Sequence, residues 1–361
     1  MNSLRLHGGR VFEAARNLGR HWLDILDFSA NINPLGQPRG LKRALFADFE
    51  RSLHYPEVQA ESLSEKLAEI HELPAAHFLP GAGSTPQFHL LARSLDLKNP
   101  VIVGPAFAEY EAALQRAGIR ARYVLTREED DWLLNPETLD RLFKKKPGAV
   151  FLANPANPTG RLTPYELLLE LAEECRRREI WLLLDEAFID FTEKGRSLTP
   201  QTAKNRRLVV FRSLTKIFAL PGLRLAFLAA HPRLTARLAR LTEPWPLSSL
   251  AISAGLFCLS QANFKRDTLK GLKIFKRRLL KILEGLDLGR VYPSEANYVL
   301  MRLKSSLNPR SILDHLYQDG ILVRDASNFH GLKAGFLRLA VRPAKESARL
   351  ADSLKLFPTR E

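Results

Sequence analysis

The residue whose surroundings most clearly suggest chemistry is a lysine in an apolar stretch of the sequence. Lys216 lies in the segment RSLTKIFALPGLRLAF (212–227), where aliphatic and aromatic residues stand close on both sides. Burial disfavours the charged form of an amine, so a lysine in such surroundings can act as a nucleophile toward a carbonyl. Taken alone, a lysine is more often a solvated side chain, and the interpretation therefore depends on its neighbours.

Other polar residues stand at the ends of predicted strands in the same part of the chain. Asn157 follows AVFLAN, Asp185 ends the run IWLLLD, and Ser213 ends LVVFRS. Between residues 85 and 230, short aliphatic runs alternate with amphipathic segments, which predicts a mostly parallel sheet with helices on both faces. Because ligands bind outside the carboxyl ends of such strands, we expect these residues and Lys216 to meet in one crevice.

This combination is typical of a site for pyridoxal 5'-phosphate, whose aldehyde reacts with a lysine and whose ring nitrogen pairs with an acid. Asp185 suits the second role, because a carboxylate keeps the pyridine nitrogen protonated. The segment PGAGST opens a predicted helix, so the amides of Ser84 and Thr85 could bind the cofactor phosphate. Ser213 could add a hydroxyl group, and Arg224, beyond a Pro-Gly turn, could add a positive charge.

Four segments, NPANPTG, DEAF, SLTK and PGLRLAF, resemble the signature segments of fold-type-I pyridoxal-phosphate enzymes. They are most similar to the branch that contains histidinol-phosphate aminotransferases and threonine-phosphate decarboxylases. The resemblance extends from HGG at 7–9 to FLRLAVR at 336–342. It implies an α/β fold of the fold-type-I PLP-dependent transferases, in which helices sandwich a mostly parallel sheet and a smaller α+β domain follows at the C-terminus.

The resemblance also implies the cofactor contacts. Lys216 would form the imine with the cofactor aldehyde, Asp185 would pair with the ring nitrogen, and Asn157 would donate to the phenolic oxygen. Phe107, in GPAFAEY, would stack on the ring face. Tyr55, in HYPEV, would reach the cofactor phosphate of a neighbouring subunit, which implies a homodimer with shared active sites.

Features outside the cofactor contacts favour the threonine-phosphate decarboxylase family over the aminotransferases. HGG followed by DFSANINPLGQP resembles the opening of that family, and position 188 is phenylalanine where the aminotransferases usually have tyrosine. The segment ILVRDASNFHGL resembles the one whose arginine, here Arg324, binds the substrate phosphate. The implied reaction converts O-phospho-L-threonine to (R)-1-aminopropan-2-yl phosphate and CO2 in cobalamin biosynthesis.

The same resemblance assigns four residues to the substrate. Arg338 matches the arginine that binds the α-carboxylate, a bidentate task suited to a guanidinium. Arg324 and His7 would bind the phosphate, and Asn31 would lie near the carboxylate. Histidinol-phosphate aminotransferase remains the alternative, and a catalytically silent basic binding protein on the same scaffold is a more remote one.

Single residues also permit structural interpretations. Asp185 could cap a helix, Phe107 could belong to the core, Asn157 could shape a Pro-rich turn, and Tyr55 could simply pack. Each arginine could be a surface cation. Their joint occurrence, in the order that the family has, favours the cofactor site.

Composition limits the other function classes. The chain has 361 residues, 45% hydrophobic and 26% charged, which is typical of a soluble globular protein. It has no apolar run long enough to span a membrane and no secretion signal at MNSLRLHGGR, and two cysteines fit reduced thiols in the cytoplasm. The net charge of +15 could indicate a nucleic-acid partner, but the basic residues are spread over predicted helix faces, so we expect none.

The hydrophobic pattern of the sequence predicts that the chain has three structural parts. Residues 1–38 lack a clear hydrophobic periodicity and are interpreted as an N-terminal arm. Residues 39–245 are interpreted as the large cofactor-binding α/β domain. From 246 to 361 a long helical region precedes three short strands, NYVLMRL, ILVRD and GFLRLAVR, which predicts the small α+β domain.

Overall fold

The computed structural model describes residues 7–357, so the first six residues of the predicted arm and the last four of the predicted small domain lie outside the described part. Strands form where the sequence has short runs of β-branched and aliphatic residues. Numbered in chain order, the strands of residues 7–357 are β1 Leu26–Asp27, β2 Phe78–Gly81, β3 Pro100–Gly104, β4 Arg122–Leu125, β5 Ala149–Ala153, β6 Trp181–Asp185, β7 Leu208–Ser213, β8 Ala226–Ala230, β9 Gly289–Val291, β10 Tyr298–Leu303, β11 Ile321–Leu322, β12 Arg324–Asp325 and β13 Phe336–Ala340.

Helices form where apolar residues recur with helical spacing. Three of the amphipathic segments that alternate with the predicted strands, TPQFHLLARSL, FAEYEAALQRAG and TPYELLLELAEECRRR, each contain a helix. The α-helices of the same described residues are α1 Val11–Leu18, α2 Leu41–Ala47, α3 Glu61–His71, α4 Ser84–Ser94, α5 Glu109–Arg116, α6 Pro136–Lys144, α7 Tyr165–Arg177, α8 Leu214–Ile217, α9 Pro232–Ala239, α10 Ser249–Leu259, α11 Phe264–Leu286, α12 Pro309–Gln318 and α13 Ala344–Leu356.

The main layer is a seven-stranded sheet with the spatial order β2-β8-β7-β6-β5-β3-β4. Strands β3 to β7 are parallel, whereas β8 pairs antiparallel with both β7 and β2. Successive strand residues alternate between two apolar layers, one containing Phe88 of α4 and Leu114 of α5, the other Leu142 of α6 and Leu168 of α7. The predicted parallel sheet between helices is confirmed.

Local chemistry explains where two of the strands end or begin, and why a third was not predicted. Strand β6 ends at Asp185, because the Asp185 side chain accepts a hydrogen bond from the amide of Ala187 and turns the chain. Strand β8 begins only at Ala226, since a 3₁₀ turn and the left-handed conformation of Arg224 (φ 54°) precede it. Strand β2 was not predicted, and as an edge strand it tolerates Pro80, which has no amide to donate.

The C-terminal part contains a four-stranded antiparallel sheet with the order β12-β13-β10-β9. The predicted helical region that precedes it is two helices, α10 and α11. The N-terminal segment also holds regular structure that was not predicted: Ala14 and Ala15 of α1 pack against Ile25 and Leu322, and β1 pairs in parallel with β11. The division at residues 38 and 245 remains a prediction.

None of the helices in the part of the chain from 7 to 357 is both long enough and apolar enough to cross a membrane.

Candidate active site

A cavity of about 410 Å³ lies where β5, β6 and β7 end, and we term it the Lys216 cavity. A larger cleft of about 800 Å³ runs along α11, but none of the predicted site residues lines it. Chemistry rather than volume therefore identifies the site. The predicted residues that line the Lys216 cavity are His7, Asn31, Ser84, Thr85, Phe107, Asn157, Asp185, Ser213, Lys216, Arg224 and Arg338.

Lys216 lies in the single helical turn α8, directly after β7, so the strand end fixes its position. The backbone oxygen of Lys216 accepts a hydrogen bond from the amide of Asn33 at 3.1 Å, which ties the N-terminal segment to this turn. Burial lowers the pKa of Lys216 to about 8, and the positive charges of Arg338 and Arg224 act in the same direction. The neutral, nucleophilic amine is therefore far more accessible than in a solvated lysine.

Asp185 faces the same cavity from the end of β6. Its Oδ1 atom accepts from the amide of Ala187 at 2.9 Å, and its Oδ2 atom accepts from the hydroxyl of Tyr110 at 2.5 Å. Burial raises the pKa of Asp185, while the Tyr110 hydroxyl, the Ala187 amide and the charge of Lys216 act against that rise. A buried carboxylate of this kind is well suited to a cationic ring nitrogen.

Asn157 and Arg338 are hydrogen-bonded to each other. Arg338 donates from Nη1 to Oδ1 of Asn157 at 2.5 Å and from Nη2 to the backbone oxygen of Ser29 at 2.7 Å. Because the carbonyl oxygen of Asn157 is the acceptor, its NH₂ group remains available as a donor. Arg338 Nε and both side-chain amide atoms of Asn31 are buried and have no hydrogen-bond partner among the described residues. Such orphaned groups indicate that a polar ligand completes the site.

The start of α4 has the features of a phosphate site. Gly83 precedes the helix with φ +95°, and a Cβ atom at this position would collide with the guanidinium of Arg224. Glycine therefore allows the arginine to approach the helix start, where no side chain caps the amides of Ser84 and Thr85. The hydroxyl of Ser213 lies 2.8 Å from that of Thr215 on the same wall. These donors, with the lysine and the carboxylate, fit pyridoxal 5'-phosphate.

Arg324 lies outside the Lys216 cavity but beside it. A small adjoining cavity of about 40 Å³ is lined by Arg324 together with His7, Phe107 and Arg338. Arg324 on β12 stands directly opposite Arg338 on β13, and it donates from Nη2 to Oδ1 of Asn328 at 2.8 Å. Burial lowers the pKa of Arg324 and of Arg338 to about 10 in each case. Like charges directly opposite each other in a sheet repel, so an anion between them is favoured.

His7 is held over the rim of the site. Its Nε2 atom lies 2.9 Å from Oε1 of Glu109, and its ring is 5.7 Å from that of Phe107. Gly8 lets the chain reach this position, because it has no side chain and a Cβ atom there would collide with the backbone of Ser29. The N-terminal segment thus lies between the two cavities.

Tyr55 is the predicted cofactor residue that the structure does not bring to this chain's own cavity. It is 81% exposed and stacks on Trp245 with ring centroids 4.5 Å apart. Phe46, Phe49 and Leu53 are exposed in the segment that precedes it. This arrangement leaves Tyr55 available to a neighbouring subunit, as the resemblance implies.

Tyr110 is the site residue that sequence reasoning missed. Its hydroxyl meets Asp185, which is 75 positions later in the chain. The signal that could have found it is its position three residues after Phe107, where the chain enters α5. Its partner, however, belongs to a different strand, and no local pattern reveals that contact.

The fold and the Lys216 cavity define a fold-type-I pyridoxal-phosphate-dependent enzyme. The model of the family "Aminotransferase class I and II" matches residues 24–354, and the chain belongs to this family. The fold and cofactor predictions are confirmed at this level.

The proteins similar to this chain include threonine-phosphate decarboxylases and histidinol-phosphate aminotransferases. The chain is 38% identical to the threonine-phosphate decarboxylase of Salmonella typhimurium over 97% of this chain and 95% of that protein. The crystal structure of L-threonine-O-3-phosphate decarboxylase from Porphyromonas gingivalis is 25% identical, covers 93% of this chain and 100% of its own, and has a TM-score of 0.82. The histidinol-phosphate aminotransferase of Clostridium acetobutylicum is 26% identical, with coverages of 92% and 98% and a TM-score of 0.84.

Proposed function

We propose that this protein decarboxylates O-phospho-L-threonine to (R)-1-aminopropan-2-yl phosphate and CO2 for cobalamin biosynthesis. The observation that carries the proposal is the pair of buried arginines, Arg338 and Arg324, directly opposite each other beside the Lys216 cavity. A small amino acid with a carboxylate at one end and a phosphate at the other matches two such cations. The 38% identity to the Salmonella decarboxylase supports the same substrate.

The cofactor, when bound, supplies an electron sink for the bond that breaks at the substrate α-carbon. Lys216 would hold its aldehyde, Asp185 its protonated ring nitrogen, and Asn157 its phenolic oxygen. Phe107 would cover one face of the ring. The phosphate donors would be the amides of Ser84 and Thr85 with Ser213 and Arg224, all of which line the same cavity.

The substrate would be oriented from the small-domain side. Arg338 would bind the carboxylate, which Asn31 flanks, and Arg324 with His7 would bind the phosphate. Once CO2 has left, Nζ of Lys216 would deliver a proton to the α-carbon. A pKa of about 8 lets this nitrogen both accept and release protons near neutral pH.

A two-substrate assay tests the activity. We expect the purified protein to release CO2 from phosphothreonine, and to form no glutamate from histidinol phosphate and 2-oxoglutarate. Phe188 supports this outcome, because its ring packs edge-on against Tyr298 at 5.0 Å and has no hydroxyl to offer the cofactor ring. Glutamate formation without CO2 release would instead assign the aminotransferase reaction, and a colourless protein without either activity would support a binding protein.

The functional unit would be a homodimer in which Tyr55 of each subunit contacts the cofactor phosphate of the other. The exposure of Tyr55, together with that of the apolar residues before it, supports this arrangement. We expect Tyr55→Ala to bind the cofactor about tenfold more weakly, since one hydrogen bond to a charged group is lost. Equilibrium dialysis at limiting cofactor measures the change.

Mixed dimers decide whether the sites are shared. Co-expression of Tyr55→Ala and Lys216→Ala chains would create one intact site in every mixed dimer, because an intact Lys216 then meets an intact Tyr55 from the other chain. Activity should therefore exceed that of either variant alone. The assay is run at limiting cofactor, where Tyr55→Ala sites are mostly empty; if Tyr55 served its own subunit, every site would carry one defect and the activity would not exceed that of Tyr55→Ala alone.

A cytoplasmic location is also part of the proposal. Cys175 and Cys258 are the two cysteines of the sequence, and both are buried free thiols. Free thiols of this kind suit a reducing compartment.

A further inference from the structure

The side chain of Asp185 is held by two donors. The amide of Ala187 holds Oδ1 and is part of the turn that ends β6, whereas the hydroxyl of Tyr110 holds Oδ2 and comes from α5. Tyr110 does not line the Lys216 cavity. Any influence of Tyr110 on a bound ligand must therefore pass through Asp185.

The ring of Tyr110 is fixed by aromatic neighbours. It is 1% exposed and meets Phe88 edge-on at 5.0 Å and Phe107 edge-on at 5.9 Å. Phe107 is the residue expected to cover the cofactor ring. Phe107 lies two residues before α5 and Tyr110 lies in the first turn of that helix, so the ring-stacking residue and the residue that holds the carboxylate are positioned together.

In the hydrogen bond between Tyr110 and Asp185, the phenol is the donor and the carboxylate is the acceptor. Burial raises the pKa of Tyr110 well above its usual value, and the charge of Asp185 adds to that rise, so the phenol keeps its proton and donates. A donor to the ionised form of a carboxylate stabilises that form. Tyr110 thereby opposes the increase in the pKa of Asp185 that burial causes.

We propose that Tyr110 is a positioning residue for the cofactor, which holds Asp185 ionised and in the orientation that binds a protonated ring nitrogen. This inference rests on the cofactor part of the proposed function and not on the identity of the substrate. The other titratable groups that face Asp185 are Lys216 from α8 and Tyr298 from β10. Neither has a hydrogen bond to the Asp185 carboxylate among those described for residues 7–357.

The variant Tyr110→Phe removes the hydroxyl and keeps the ring. We expect it to bind pyridoxal 5'-phosphate about tenfold more weakly, as for the loss of one hydrogen bond to a charged group. Fluorescence titration of the cofactor-free protein measures this dissociation constant without any turnover. The matched control is Tyr123→Phe, which removes a phenol that donates to Glu111 at 3.0 Å outside the cavity and should leave the affinity unchanged.

Two further variants separate positioning from packing. In an Asp185→Ala background, Tyr110→Phe should cause no additional loss of affinity, because the hydrogen-bond acceptor is already gone. Tyr110→His restores an N–H donor, so it should recover part of the affinity, whereas a residue needed only for packing would be damaged more by histidine than by phenylalanine. Thermal unfolding of each cofactor-free variant reports its folding separately.

Unchanged cofactor affinity in Tyr110→Phe would overturn the inference. An additive loss in the Asp185→Ala background would also overturn it, since Tyr110 would then act by another route. A wild-type protein that binds no pyridoxal 5'-phosphate would instead refute the proposed function. A protein that binds it but leaves phosphothreonine intact would refute only the substrate assignment.

Discussion

The Lys216→Ala variant is expected to show none of the visible absorbance of the covalently attached cofactor and to lose decarboxylation entirely. Lys216 is the lysine that lines the cavity together with Asp185, and no other amine in that lining can replace it. The other donors of the site remain, so the variant should still bind free cofactor weakly and reversibly. Absorbance spectra before and after gel filtration distinguish covalent attachment from such binding.

Lys276 provides a matched control for the effect of burial. Burial lowers its pKa to about 8, as for Lys216, but it lies in the cleft along α11 and donates to the backbone oxygen of Ser294 at 3.0 Å. Lys276→Ala should therefore keep both the absorbance and the activity. If Lys216→Ala kept the absorbance after gel filtration, the site assignment would be wrong.

The large sheet could be predicted from the sequence because its signals are local. Runs such as AVFLAN and LVVFRS contain enough β-branched and aliphatic residues to predict buried strands. Asp185 and Ser213 stand at the ends of such runs, and parallel strands bring their carboxyl ends to one edge of the sheet. Because of that geometry, residues far apart in the chain could be grouped into one site from the sequence alone.

Long-range contacts were beyond prediction. The pairing of Asn157 with Arg338 joins the loop after β5 to β13, and it depends on how two segments 181 residues apart in the chain come together. The contact of Tyr110 with Asp185 is of the same kind. The helix α1 was also missed, although Val11, Ala14 and Leu18 recur with helical spacing, because it is only eight residues long; its apolar face packs against Ile25 and Leu322.

The cross-strand arginine pair gives the strongest prediction about the substrate. We expect Arg324→Ala to raise the KM for phosphothreonine about a hundredfold, because at least one charge-assisted bidentate contact to the phosphate would be lost. Cofactor affinity should hardly change, since Arg324 lines the adjoining cavity and not the Lys216 cavity. Steady-state kinetics and cofactor titration on the same preparation measure the two effects.

The comparison with unphosphorylated threonine isolates the phosphate contact. Wild-type protein should bind phosphothreonine much more tightly than threonine, and Arg324→Ala should remove most of that difference while leaving threonine binding unchanged. Arg302 on β10 is the control: it belongs to the same sheet but is exposed and pairs with Glu128 at 2.9 Å, so Arg302→Ala should behave like the wild type. An unchanged KM for phosphothreonine in Arg324→Ala would exclude this arginine from phosphate recognition. His7, which lines the same small cavity, would then be the alternative phosphate-binding residue.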